Sequence, residues 1–331
     1  MNDSHLNVEE LWGIIKNEPA IWDFIVIKNQ SFYFNHKNNL IFLSSFQKNT
    51  LPLPQYKMTI LGKLLTKSSQ FANIMSCRPG TEDVTFYALV NSPQAGILGR
   101  IADKKMLSIA APPLKWRRAK IKEKIQKQIQ SYINMQQSFL FIDIGCGAGF
   151  DSLEIERIMH RFETLTQIPR YSCSYASLNI DIDKKWLNNN KKLSEELFGD
   201  SCNILRENIS AFDFLTNESY HSMVSPYDNL IISCNGFAEF LNDEQLLQLY
   251  IGIHNLIKEY KGGVSIILPF AGENKKQESI GEKIGFQFRT KNKNTLITLI
   301  KEIFKNYNVS YIEKHSQIVI NVERHYSILE K

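Results

Sequence analysis

Cysteine is scarce: five residues in 331, at positions 77, 146, 173, 202 and 234, never in a Cys-x-x-Cys pair. That scatter argues against a disulfide framework and supplies no zinc or iron–sulfur ligand set, so reduced thiols and no metal are expected. No apolar run approaches the ~20 residues of a membrane span. The opening Met-Asn-Asp-Ser-His-Leu lacks the basic-then-apolar order of a signal peptide, and a cytoplasmic protein with no membrane partner is expected. Strong charge of one sign is missing too. A net +5 is small for a dedicated nucleic-acid binder, so nucleic acid is not the favoured partner. With 43% hydrophobic residues, the chain is long enough for one catalytic domain and a smaller one.

The most informative stretch that is present is Phe139-Leu-Phe-Ile-Asp143-Ile-Gly145-Cys-Gly147-Ala-Gly149-Phe150-Asp151. An apolar run suited to a buried strand breaks on an acid into three glycines at alternate positions, where the backbone can turn sharply and admit a ligand. Leu153, Ile155, Ile158 and Met159 follow at helical spacing. A dinucleotide turn wants a small residue at the sixth position from Gly145, to let helix and strand pack closely. Phe150 stands there instead.

The pattern resembles motif I of the class I S-adenosylmethionine (SAM)-dependent methyltransferases: an acid, x, Gly, x, Gly, x, Gly. Asp143-Ile-Gly-Cys-Gly-Ala-Gly149 fits it without a mismatch. The resemblance runs from about residue 131 to 324 in the family's order, and it implies an α/β fold: a seven-stranded sheet with helices on both faces. SAM is the implied cofactor and S-adenosylhomocysteine the product. Asp143, Gly145, Cys146, Gly147 and Gly149 would form the donor turn. In Ser177-Leu-Asn-Ile-Asp-Ile-Asp183, Asp181 matches the ribose ligand, with Ile182 beside it and Asp183 as the N-cap of the next helix. Residues 164–175 read as an inserted loop. Asn208 matches the adenine contact, Ile209 the adenine face, and Asp213 rivals Asn208 or simply starts a helix. After a fourth strand, Cys234, Asn235, Phe237 and Glu239 are expected near the methyl-transfer pocket, with Asn235 and Glu239 as the catalytic candidates and Asn235, Phe237 and Glu239 lining the acceptor site. His221 and His254 are more distant candidates for a base. Asp243 is expected to cap the following helix. Two alternating stretches, 309–312 and 318–322, end the sheet.

Two readings of the acceptor remain open. The Asn-Pro-Pro-aromatic signature of base-amine methyltransferases is missing, which favours a small molecule in specialised metabolism. An RNA or protein methyltransferase, transfer of a different SAM-derived group, and a non-catalytic regulatory protein with this fold are the alternatives.

Residues 1–111 have another character, a mixed α+β accessory domain that would cap the substrate or form a homodimer. Helices are expected at 8–24, interrupted at Pro19, and at 59–75. A hairpin is expected from 32–34 and 40–43, and strands at 84–90, 97–101 and 106–110, around a polar turn at Asp103-Lys-Lys105. Helices followed by a small hairpin resemble the winged-helix accessory domains of some O-methyltransferases. Pro112-Pro113 marks the boundary to a domain spanning 112–331, which opens with a basic linker helix over 112–134. There Trp116, Ile121, Ile125, Ile129 and Ile133 form one stripe, with Arg117 and Arg118 assigned to the solvated basic surface. The glycine and ribose assignments carry an expected outcome. In a titration with SAM, Gly147→Val abolishes binding, and Asp181→Ala weakens it by roughly 2–4 kcal/mol through loss of two charge-assisted hydrogen bonds.

Overall fold

The computed structural model describes residues 8–46, 58–78, 81–94, 96–166, 173–199, 202–285 and 289–324. The opening hexapeptide and half of the expected insertion, residues 167–172, lie outside these residues.

Seven strands form the main sheet: β4 (Phe139–Ile144), β5 (Tyr175–Ile180), β6 (Ile204–Glu207), β7 (Asn229–Ser233), β8 (Gly263–Ala271), β9 (Asn308–Lys314) and β10 (Gln317–Arg324). The order is β6-β5-β4-β7-β8-β10-β9. All neighbours are parallel except β10, which runs antiparallel to both β8 and β9. The strand order therefore reverses between β4 and β7, and a crevice opens there at the strands' carboxyl ends. β8 runs on through Pro269, which pairs opposite Val319.

Parity along β4 sorts the two layers. Leu140, Ile142 and Ile144 join the core formed with helices α8 (Ala211–Thr216), α10 (Asp243–Ile257) and α12 (Lys293–Ile303). Phe139 and Phe141 join the opposite core, under α1 (Val8–Asn17), α5 (Ile97–Asn134) and α6 (Phe150–Thr166). Asp143 has the parity of Phe139 and Phe141, which turns it toward α5. The Ile121, Ile125, Ile129 stripe of α5 docks on this face, with Trp116 and Ile133 half-buried at its ends.

The N-terminal elements are a three-stranded antiparallel meander, β1 (Ile25–Lys28), β2 (Ser31–His36) and β3 (Asn39–Ser45), and the helices α2 (Ile60–Ser68), α3 (Gln70–Cys77) and α4 (Glu82–Val90). The expected hairpin is β2–β3, and Ser69 divides the expected 59–75 helix by capping α3. Residues 84–90 are helical, not a strand. Phe86, Tyr87, Ala88 and Leu89 are buried all round, and an apolar run hidden on every side has no periodicity to separate helix from strand. Glu82 and Asp83 occupy its first turn, and Asn91 ends it at φ +52°. Residues 97–110 are likewise the start of the 38-residue α5, not two strands. Asp103, assigned to a polar turn, is fully buried and accepts hydrogen bonds from the Ser69 hydroxyl, Phe71 N–H (3.1 Å) and Tyr87 hydroxyl (2.6 Å). Burial and this contact raise the pKa of the Tyr87 phenol. Pro112 and Pro113 lie inside α5. Each removes one backbone donor, and packing along both sides of the helix keeps it continuous. The winged-helix resemblance is thus carried by the β2–β3 hairpin alone. Two further helices, α7 (Lys184–Phe198) and α11 (Lys275–Ile284), and a short α9 (His221–Val224) complete the chain.

The meander and α4 share one core with α6 and α7: Phe86 of α4, edge-on to Phe32 of β2 at 5.5 Å, meets Phe150 edge-on at 5.4 Å and Trp186 at 5.6 Å between ring centroids. Phe86→Ala is expected to cost about 3–5 kcal/mol and to lower a single unfolding transition, checked by thermal denaturation followed at two wavelengths.

Candidate active site

The turn after β4 is shaped by close approach. Gly145, Gly147 and Gly149 hold φ of +65°, +54° and +61°, a region L side chains rarely adopt. Each lies against a different neighbour. A Cβ on Gly145 would lie 2.6 Å from the Cβ of Phe237, in the loop after β7. On Gly147 it would collide with the Glu82 carboxyl, and on Gly149 it would meet the amides of Asn179 and Asn190, the latter at 2.6 Å. Asn190, on α7, donates to the carbonyls of Ala148 (3.0 Å) and Gly149 (3.1 Å) and so clamps the turn.

Asp181, at the end of β5, accepts from Gly147 N–H and Asp183 N–H, both at 2.8 Å. Asp183 caps α7 through Lys185 N–H (2.9 Å), as expected. A carboxylate has about four acceptor sites, so Asp181 keeps capacity for two more donors. Asn208 donates to the carbonyls of Asp181 (3.0 Å) and Ile182 (2.9 Å), which leaves its side-chain oxygen as the acceptor. Asp213 bonds to its own helix cap, Ser210, at 2.6 Å, which is the structural role. Ile182 is 73% exposed and Ile209 half-buried, so an apolar surface stands beside Asp181.

Beyond β7, Asn235 donates to Asp151 (3.1 Å). Glu239 is ion-paired with Arg117, which also donates to Gln317 (3.1 Å). One of the two Glu239 carboxyl oxygens is thus already engaged. Cys234 is fully buried, and burial raises its thiol pKa. Cys146 is nearly buried, with its thiol raised by burial and then by Asp143. His254 stacks edge-on against Phe304 at 5.8 Å on the far layer, and burial lowers its pKa. His221 lies in α9. Asn242, not Asp243, caps α10, accepting from Gln245 N–H at 2.8 Å; Asp243 pairs instead with Lys291.

Four residues came into the site without a sequence signal: Glu82, Arg117, Arg118 and Asp151. The two arginines, assigned to the solvated face of α5, are 5% and 6% exposed. Arg118 lies 3.7 Å from Glu82 and 3.9 Å from Asp151, with its guanidinium over the Trp22 ring at 5.9 Å. Trp22 in turn lines a groove of about 610 Å³ beside Lys115, Lys122 and Gln126. The only hint was spacing: positions 117 and 118 adjoin the buried stripe of α5. Glu82 was hidden by reading its helix as a strand.

Negative charge accumulates around the turn. Burial, with the neighbouring Asp151 charge, holds the Asp143 carboxyl well above the usual range. Glu82 is raised by burial, against the pull of Arg118, and Asp181 is raised by burial, against its two backbone donors. Clusters of shifted groups in a crevice mark functional sites.

The sheet order and the glycine turn at its reversal point define a class I methyltransferase fold. No protein-family model matches the chain, and no curated protein matches it. Among solved structures, a possible exported protein from Bordetella parapertussis is similar over 98% of this chain and 99% of its own, with TM-score 0.51 and 10% identity. Magnesium protoporphyrin IX methyltransferase from Synechocystis PCC 6803, with bound SAH, is similar over 77% of this chain and 99% of its own, with TM-score 0.45 and 12% identity. At 10% identity the first of these likenesses is one of fold alone. Among the described residues, no helix is long and apolar enough to cross a membrane.

A carboxyl with a raised folded pKa favours the folded state below its unfolded pKa and loses that contribution as pH rises through the folded value. Asp143→Asn is therefore expected to stabilise the unliganded protein at pH 7, by about 0.5–2 kcal/mol, with the gain fading as pH falls toward the ordinary carboxylate range; urea denaturation at several pH values checks it.

Proposed function

We propose that the chain is a SAM-dependent methyltransferase acting on a small-molecule acceptor. The observation that carries this reading is the glycine turn itself: three left-handed glycines at the sheet's reversal point, flanked by Asp143 and Asp181 at the ends of adjacent strands. The residues fit the donor. Asp181 has acceptor capacity for a ribose diol, the Asn208 oxygen suits the adenine amino group, and Ile182 and Ile209 offer an apolar face for the ring. A surplus of carboxylates suits a cation, and SAM carries both a sulfonium and an ammonium.

The donor supplies an already activated methyl group, so the protein's task is alignment. In this reading Asn235, Phe237 and Glu239 border the acceptor. With Glu239 held by Arg117, the arrangement favours an acceptor that needs no strong base from the protein, such as a thiol or free amine, and gives Glu239 a positioning role. The inward turn of Arg117 and Arg118 and the pairing of Lys120 and Lys122 with Glu123 and Glu154 leave less free positive charge for RNA phosphates, which favours the small-molecule reading over the macromolecular one. Five unpaired thiols suit a cytoplasmic setting. The N-terminal segment would wall the donor site through Glu82 and Trp22. Its exposed Ile60, Leu61, Leu64, Ile97, Leu98 and Ile101, on α2 and the start of α5, would serve a homodimer.

Isothermal titration with SAM, S-adenosylhomocysteine and NAD is the test, with sedimentation of the same sample for the dimer. Micromolar binding of the two sulfur ligands without NAD supports the reading. Binding of neither sulfur ligand moves the non-catalytic alternative forward.

A further inference from the structure

Around the glycine turn, four buried side-chain acceptors lack any hydrogen-bond donor: Glu82 Oε2, Asp143 Oδ1, Asn179 Oδ1 and Asn235 Oδ1. Asp143 is only 2% exposed. Orphaned buried acceptors cost free energy, and orphaned charged ones cost more. Arg118 does not relieve Glu82 Oε2, since 3.7 Å exceeds hydrogen-bond range. Charge is also unbalanced, because Glu82, Asp143 and Asp151 all lie within reach of one another and of this one guanidinium. The missing component is a compact cation with several N–H donors. The described residues present no group of three side chains able to hold a metal ion. An ammonium has three donors and no acceptor, which suits a cluster of acceptors without donors.

We propose that Glu82 binds the ammonium of the donor's amino-acid end, so that a residue outside the sheet selects donors that carry that group. This rests on the SAM reading above. Glu82 enters the site because it stands in the first turn of α4, the helix whose Phe86 is locked against Phe150 and Trp186. Its carboxyl lies over Gly147, the place where a side chain would block the turn. Being the far end of a flexible side chain, it shifts off Gly147 as the donor enters and keeps its charge toward the ammonium. Asp143 and Asn235 supply further acceptors from β4 and the loop after β7.

The test compares two ligands that share adenosine and a thioether. S-adenosylhomocysteine carries the ammonium, and 5′-methylthioadenosine lacks the whole amino-acid end. Both are titrated into the full chain and into Glu82→Gln, which keeps the side-chain volume and removes the charge. The expected result is a loss of about tenfold or more for S-adenosylhomocysteine, with 5′-methylthioadenosine unchanged within about twofold. Equal losses for both ligands mean that Glu82 only supports the turn, and tighter binding of both means that it is a plug the donor displaces; either overturns the assignment. Binding of neither ligand to the unaltered chain removes the donor reading and this assignment with it.

Discussion

The guanidinium of Arg118 is the contact on which the rest of the site depends. It lies between Glu82 of α4 and Asp151 of α6, with Trp22 beneath it. A buried arginine among carboxylates is marginal in net stability, because desolvation opposes attraction, yet removal of the arginine would leave uncompensated charge. Its value is positional. It ties the N-terminal helices to the helix that follows the glycine turn, and so makes the front of the crevice a joint product of two regions distant in sequence.

The glycine turn is the second constraint, and it follows from crowding. Phe237, Glu82 and the Asn179–Asn190 pair have each moved into the space a Cβ would fill. A turn of this shape could not be built from other residues without pushing one of these neighbours away. The same crowding places acidic groups close together under little solvent, which raises the carboxyls of Asp143, Asp181 and Glu82. Such an arrangement opposes folding in the absence of a cation and favours one when it arrives. Strain of that kind is common where a ligand completes a site.

Legibility in the sequence followed periodicity and turn chemistry. The strands of the main sheet were readable because buried parallel strands are short apolar runs bounded by breaks, and β4 and β7 are of that kind. Asp183 was readable as a cap because a carboxylate before Lys-Lys-Trp can serve the first free N–H groups of a helix. Helix α4 was not readable, since burial on every side erased its period. The 97–110 part of α5 was hidden by Asp103 and two lysines, which look like a turn until three donors from α3 and α4 surround the aspartate. Pro112 and Pro113 looked like a boundary because proline disfavours a helix interior locally, while the neighbours that hold the helix together are remote in sequence.

By itself the sequence determined the succession of strands from β4 to β10, the glycine turn and the acid at the end of β5, because each depends on neighbouring residues: local apolar pattern, glycine's freedom at positive φ, and a carboxylate's fit to nearby N–H groups. Only the tertiary structure decided which charges meet. Arg117 and Arg118 went inward because the register of α5 on the sheet turned them toward Glu239, Asp151 and Glu82. Glu82 reached Gly147 because aromatic packing fixed α4 over the turn. Those pairings join residues up to 122 positions apart, and no local pattern encodes a partner at that distance.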